Sequence, residues 1–441
     1  MKSQLLALAG VAKSLPKLNN LLRYNPFYYA TVAAIIRAIK QTSASERRAA
    51  VQPLLQKTLE EAAKTAYGKG RSLNLAEWPV LTKEVVRQNP VHFHTSQWIS
   101  VPASTSGSSG VPLRLRRSLK NIVAEQAFLD ALIPPPIPKF RDARVAVLRG
   151  DTVKSPADYS PPFGSYRHPH QLALSFPHLN NATADWYIDE LIKFRPDILW
   201  VYPTGADFLA SLCLARQRQL SVPVTLSSSE MLSPPAWDRI RKAFGGELID
   251  YYGQAERVCL SYQRHPNEAW FHPAYGFVEL FPDHEQVADD HLRRAKIVAT
   301  GYWNNKMPLV RYDTGDYIAY PKHYTEADLA QVALGLKPFT RIIGRESEFL
   351  ITPKGERIQA LNNIPRDVKH LRQAQFIQHH SDQVEIRLDV EEAFNKQDYQ
   401  TLLTSARTKI PPSVHLTIVT DQPLTTTDSC KTPFVIRTVL N

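Results

Sequence analysis

Cysteine is scarce. Cys213, Cys259 and Cys430 are the three in 441 residues, too few and too scattered for a disulfide framework, so a reducing, cytoplasmic setting is expected. Long apolar runs are missing too. Nothing approaches the ~18 consecutive apolar residues of a membrane helix, so no integral membrane segment is expected. The opening "MKSQLLALAGVAKSL" starts like a signal peptide, but Lys13 interrupts the apolar run and no clean cleavage site follows. A helix packed on the body is the better reading, and Pro26 to Ile39 reads as a buried helix. There are no internal repeats. The formal charge is +11, yet the basic residues are spread along the whole chain, and the tightest cluster, Arg114 to Arg117, holds three arginines. That spread argues against nucleic acid, which leaves a concentrated basic footprint. No GxxxxGK[ST] loop and no nucleophile elbow occur.

What is present is an ordinary globular composition, 43% hydrophobic and 22% charged. At roughly 100–200 residues per domain, the length suggests two or three domains. Residues 1–75 read as a helical lead-in. Thr82 is placed to cap a helix beginning at Lys83. Lys120 to Leu132 reads as a helix stopped by three prolines. The middle alternates strands (144–148, 198–202, 222–226, 247–252) with helices (182–194, 205–217, 235–244). That rhythm predicts an α/β fold with a largely parallel sheet, and ligands at the carboxyl ends of its strands. Strands at 276–281 and 295–300 follow, then a capping box, Thr325 with Asp328. Near 346 the composition resets to a hairpin around Ser381–Asp382, a helix near 397–409 and a strand at 414–420, a small α+β unit.

Four short stretches carry the chemistry. "PASTSGSSGVPLRLR" (102–116) packs Ser104 to Gly110, seven small or hydroxylated residues, in a row. Backbone N–H groups unscreened by side chains, with Ser and Thr hydroxyls, suit phosphate oxygens; alone, such a run is equally a solvated linker. "YYGQAE" (251–256) ends a strand with aromatics, a glycine turn and a carboxylate. "VRYDTGD" (310–316) reads as a strand ending in an acidic turn. "GRESE" (344–348) precedes the composition reset, and "DSCK" (428–431) sets a lysine near the end of the chain.

Together, over about Trp78 to Arg437, these resemble the adenylate-forming superfamily. The most similar branch is the phenylacetate–CoA ligase-like enzymes, with their capsule-biosynthesis and coenzyme F390 synthetase-related members. The resemblance implies a large ATP- and acid-binding domain, 1–343, with mixed, largely parallel sheets, and a small mobile α+β lid, 344–441. It implies ATP with Mg²⁺ as cofactors, a small carboxylic acid as substrate, and CoA, a carrier thiol or an amine as acceptor. A homodimer is compatible with it. Thr105, Ser106, Gly107, Ser108, Ser109 and Gly110 would hold the β- and γ-phosphates. Tyr252, beside Gly253, would stack on adenine, and Glu256 would bind Mg²⁺. Asp316 would accept from the ribose hydroxyls, and Arg345 would lie near the nucleotide. Lys431 would reach back to neutralise charge on the carboxylate and α-phosphate. The acid pocket would draw on Tyr202, Phe208, Ser229, Glu230 and Tyr251, whose aromatics suggest an aromatic or medium-sized apolar acid.

The chain also departs from that pattern. Ala255 stands where a Thr is usual, forfeiting a hydrogen bond of roughly 0.5–1.5 kcal/mol. Ser347 and Glu348 replace hinge aspartates, and Cys430 replaces a glycine. Three outcomes stay open: an acid–thiol ligase, an acid–amine ligase, or a degenerate nucleotide-binding protein. Cys259, His265 and His272 lie where some relatives hold zinc, but no cysteine follows until Cys430. Zinc, which takes four ligands in structural sites, is not expected.

Overall fold

The computed structural model describes residues 22–39, 43–104, 113–149, 153–155, 158–287, 291–345, 349–353, 357–358, 361, 364–365, 368–407, 409–426 and 432–438. The Ser/Gly loop 105–110, the segment 346–348 and Lys431 therefore lie outside the described residues, as do the side chains of 344–345.

Helices α1 (Pro26–Ile39) and α2 (Ala44–Ala63) come first. α1 buries Val32, Ile36 and Ile39 but leaves Phe27 83% exposed, so only one face of the expected buried helix is covered. Ser43 caps α2 with a reciprocal capping box to Glu46. The turn after α2 requires Gly68, because a Cβ there would sit 2.0 Å from the Ala62 carbonyl oxygen. Thr82 caps the short helix α3 (Lys83–Gln88) as expected. Strands β1 (Ser100–Ser104) and β2 (Arg114–Ser118) pair antiparallel across the Ser/Gly loop. α4 (Leu119–Leu132) follows directly.

The central sheet holds β3 (Val145–Arg149), β4 (Gly164–His168), β5 (Gln171–Ser175), β6 (Ile198–Val201), β7 (Val224–Ser228), β8 (Glu247–Gly253), β9 (Leu260–His265) and β10 (Glu268–Phe271). Its order is β10-β9-β8-β7-β6-β3-β5-β4. Strands β5, β3, β6, β7 and β8 run parallel. Helices α5 (Ala184–Phe194), α6 (Pro203–Ala215) and α7 (Pro234–Phe244) connect the later ones. Alternation along each strand feeds two cores. Val145, Val147, Ile198, Leu226 and Ile249 face the α1, α2 and α4 side, whereas Ala146, Leu148, Leu199, Val201 and Leu248 face α5, α6 and α7. Burial on both faces is why these strands read as continuous apolar runs.

A second sheet, antiparallel in the order β11-β12-β13-β14, is built from β11 (Gly276–Val287), β12 (Leu292–Gly301), β13 (Tyr312–Pro321) and β14 (Arg341–Arg345). The Thr325–Asp328 capping box opens α8 (Glu326–Ala333). Buried Arg47 of α2 donates to the carbonyls of Leu334 and Gly335 just past that helix. One expectation is corrected here. The acidic stretch 310–316 does not end a strand: β13 runs through it to Pro321, with an irregularity in its pairing opposite Lys296 and Val298 and Gly315 at φ +72°. The bulge aims the acids without terminating the strand.

The C-terminal part is a separate, smaller sheet domain. After the short pair β15 (Leu350–Ile351) and β16 (Arg357–Ile358), it holds β17 (Leu371–His380), β18 (Gln383–Val390), α9 (Lys396–Arg407), β19 (His415–Val419) and β20 (Val435–Arg437) in the order β19-β18-β17-β20. Leu350, Phe376, Ile386, Leu402 and Val414 belong to its own core.

Candidate active site

Three of the motif stretches meet at the junction of the two larger sheets. Tyr252, near the end of β8, donates its phenol to Oδ2 of Asp316 at 2.6 Å. Burial, reinforced by the Asp316 charge, holds the Tyr252 phenol well above its ordinary pKa, so it keeps the proton it donates. Asp316 is 6% exposed and pairs in register with Arg345 across β13 and β14. Glu256, in the turn after β8, accepts from the Tyr312 phenol at 2.7 Å. Arg117, leaving the Ser/Gly loop on β2, donates to the Ala255 carbonyl at 2.7 Å. Burial, then the nearby Arg257 charge, lowers Arg117 to about 10, still charged at neutral pH. Beside Gly253 a Cβ would meet nothing within 4 Å. Among the described residues, space is thus open at Gly253, one residue after Tyr252.

Sequence reading missed Arg117 and Tyr312 as parts of this junction. The signal for Arg117 was its place in the basic cluster. Tyr312 stood inside a quoted motif, but nothing local in the sequence showed that its hydroxyl would meet Glu256.

The predicted acid-pocket residues divide. Tyr202, Ser229 and Tyr251 gather around one side chain that sequence reading did not select, Arg149 at the end of β3. Its guanidinium lies 4.7 Å from the ring centres of both Trp200 and Tyr202 and donates to Ser229 Oγ at 3.1 Å. Glu230 Oε2 instead accepts from the Thr204 amide at 3.2 Å and its hydroxyl at 2.6 Å, at the start of α6. Phe208 carries the Arg372 guanidinium over its ring at 5.6 Å, a contact with the C-terminal domain.

The chain direction explains why this edge is a site. From β3 the chain goes to β5 on one side, then crosses to β6 on the other, then on to β7 and β8. The β3–β6 boundary is a topological switch point, where the loops splay apart and leave a crevice at the strand ends. Arg149 and Tyr202 stand at that crevice.

No protein-family model matches the chain. Its fold is that of the adenylate-forming acyl-CoA ligases. Two crystal structures of 2-hydroxyisobutyryl-CoA ligase in the postadenylation state align with it, each at 14% identity. The one in complex with R3-HIB-AMP gives a TM-score of 0.59 over 90% of this chain and 91% of that one. The one in complex with 2-HIB-AMP gives 0.57 over 91% of each. In sequence the chain is similar to the protein CapK of Staphylococcus aureus, 24% identical over 285 residues. That match covers 63% of this chain and 60% of CapK, less than two thirds of the relative's length. The resemblance read from the motifs therefore holds in fold, with CapK on the capsule-biosynthesis side. Among the described residues, no helix is long and apolar enough to cross a membrane.

Proposed function

We propose that the protein uses ATP to convert a small carboxylic acid to an acyl-adenylate and passes the acyl group to an acceptor, a CoA or carrier thiol first among them. The observation that carries this reading is the Tyr252–Asp316 hydrogen bond, 2.6 Å long, which joins two motifs 64 positions apart beside an open space. Tyr252 and Asp316 would hold the nucleoside. The oxygen donors present suit that ligand set, and Glu256 is the carboxylate that would meet Mg²⁺, which takes one or two carboxylates and leaves other positions to phosphates and water. Bound there, Mg²⁺ would neutralise phosphate charge. Arg117, fixed on the Ala255 carbonyl, would set the exit of the loop Thr105–Gly110 against the turn after β8. Arg345, on β14 beside Asp316, would mark the start of the lid, 344–441, which would bring Lys431 over the site.

Little covalent work falls to the protein in such a reaction: positioning and charge stabilisation carry the rate. Acid-dependent exchange of labelled pyrophosphate into ATP tests the reading. Exchange is expected with at least one acid, and Lys431→Ala is expected to slow it about 10²–10³-fold, the usual worth of a preorganised charge-stabilising group. A protein that binds ATP but exchanges with no carboxylic acid is the degenerate alternative. Product mass spectrometry with CoA and with amines assigns the acceptor.

A further inference from the structure

Arg149 differs in kind from its surroundings. It ends β3 at the switch point, where a ligand enters, not where a core is sealed. Its guanidinium is held on several sides: the Trp200 and Tyr202 rings lie at 4.7 Å, Ser229 Oγ accepts at 3.1 Å, and Tyr251 and Tyr202 lie close enough to interact with it electrostatically. These partners are rings and hydroxyls, none of them a carboxylate. Among the described residues no carboxylate forms an ion pair with it. A partly buried cation held by neutral groups keeps an unspent charge, which in a low-dielectric crevice attracts an anion strongly. The clamp also carries strain. Ser229 sits at φ +80°, a conformation that non-glycine residues rarely hold and that concentrates at ligand sites.

Position decides what the charge is for. The Arg149 guanidinium reaches Tyr202, the residue after β6, and Ser229, the residue after β7. Tyr252, on β8, and Asp316, on β13, would hold the nucleoside to which the activated carboxylate is joined. Arg149 ends β3 and Tyr252 lies on β8 with β6 and β7 between them, three strand spacings or about 14 Å between their backbones. One carboxylate cannot serve both.

We propose that Arg149 selects an acid carrying a second anionic group, a carboxylate or phosphate, at the end remote from the carboxylate that is activated. This rests on the adenylation reading and refines its substrate, replacing the apolar acid suggested by the aromatics alone. Trp200 and Tyr202 then orient the guanidinium by stacking on it, while Ser229 fixes its hydrogen-bonding edge.

The test measures kcat/KM for pyrophosphate exchange with dicarboxylic acids from succinate to suberate, the matched monocarboxylic acids, and phosphate-bearing acids of similar length. Wild type, Arg149→Lys and Arg149→Met are compared after thermal melts confirm folding. Wild type is expected to favour a diacid or phospho-acid over the monoacid of equal length by 10- to 100-fold, the worth of a charge-assisted hydrogen bond. Arg149→Met should erase that ratio through KM, and Arg149→Lys should restore part of it. Which anion gives the larger ratio separates carboxylate from phosphate. Titration calorimetry of the same acids without nucleotide gives an independent reading, with binding lost in Arg149→Met. Exchange with monoacids at an equal or better rate overturns this inference and leaves acid activation standing. Arg149-dependent binding of a diacid without exchange does the reverse. The absence of both a diacid preference and Arg149-dependent binding overturns the inference outright.

Discussion

Two arginines of the large domain occupy opposite electrostatic settings. Arg239, on α7, meets Asp207 of α6 through two parallel hydrogen bonds of 2.7 Å, and its other nitrogen reaches Glu391 of the C-terminal domain at 3.0 Å. Its charge is consumed twice over. Burial opposes the charge of Arg239, but the hydrogen bond and charge of Asp207 prevail, and its pKa rises. Arg149, at the end of β3, stands among rings and hydroxyls, with no carboxylate paired to it among the described residues. Both are clamped as firmly as a guanidinium can be, so rigidity does not tell structure from function here. The sign of the neighbours does: a cation between carboxylates joins elements, whereas a cation between neutral groups waits for an anion. Asp250 is the acidic counterpart of Arg149, held by the Ser227 hydroxyl at 2.6 Å and the Gln263 amide at 3.3 Å, with no cation paired to it among the described residues.

The largest expected effect is on the consumed side. Arg239→Met strands Asp207, which is 4% exposed, and should cost about 3–5 kcal/mol in chemical denaturation. Arg149→Met, in the same titration, should cost about 1 kcal/mol, the lost stacking on its rings. Equal losses would erase the distinction between the two sites.

Asp250 gives the next effect, through pH. Burial pushes its carboxyl up from 3.8 to about 7. Between about pH 4 and 7 the folded state therefore holds a proton that the unfolded state has released. Its stabilisation is complete below about 4 and is lost as the pH rises through about 7, by at most about 1.4 kcal/mol per pH unit. Asp250→Asn, which mimics the protonated acid, should flatten that slope in melts recorded from pH 4 to 8. A slope unchanged by the substitution would place the titration elsewhere.

The smallest effect concerns the clamp. Ser229→Gly relieves φ +80° and should raise stability by about 0.5–1 kcal/mol, while weakening the binding of a diacid because Arg149 loses an oxygen partner. A variant both less stable and unchanged in binding would make Ser229 a packing residue.

Much of the fold was legible beforehand because parallel strands buried on both faces leave unmistakable apolar runs. The expected strands at 144–148 and 198–202 fall within a residue of β3 and β6, and Thr82 and the Thr325–Asp328 box cap helices where expected. The β4–β5 and β9–β10 hairpins were not foreseen. Their pairing is set by register between segments, and their short, mixed-polarity runs carry no strong period. The continuation of β13 past Asp316 was missed because a bulge around Gly315 looks like a turn from inside the segment.

The amino-acid order alone therefore determined most element types, the caps, the largely parallel sheet and the short stretches with chemistry in them, because each is written in the spacing of neighbours along the chain. It could not say that Tyr252 would reach Asp316, that Tyr312 would meet Glu256, or that Arg149, the last residue of an ordinary apolar strand, would face neutral hydroxyls instead of a carboxylate. Those facts depend on which strands lie side by side and where the chain reverses direction across the sheet. An arginine's charge is set by its own chemistry, but what that charge is available to do is set by neighbours that only folding brings within reach.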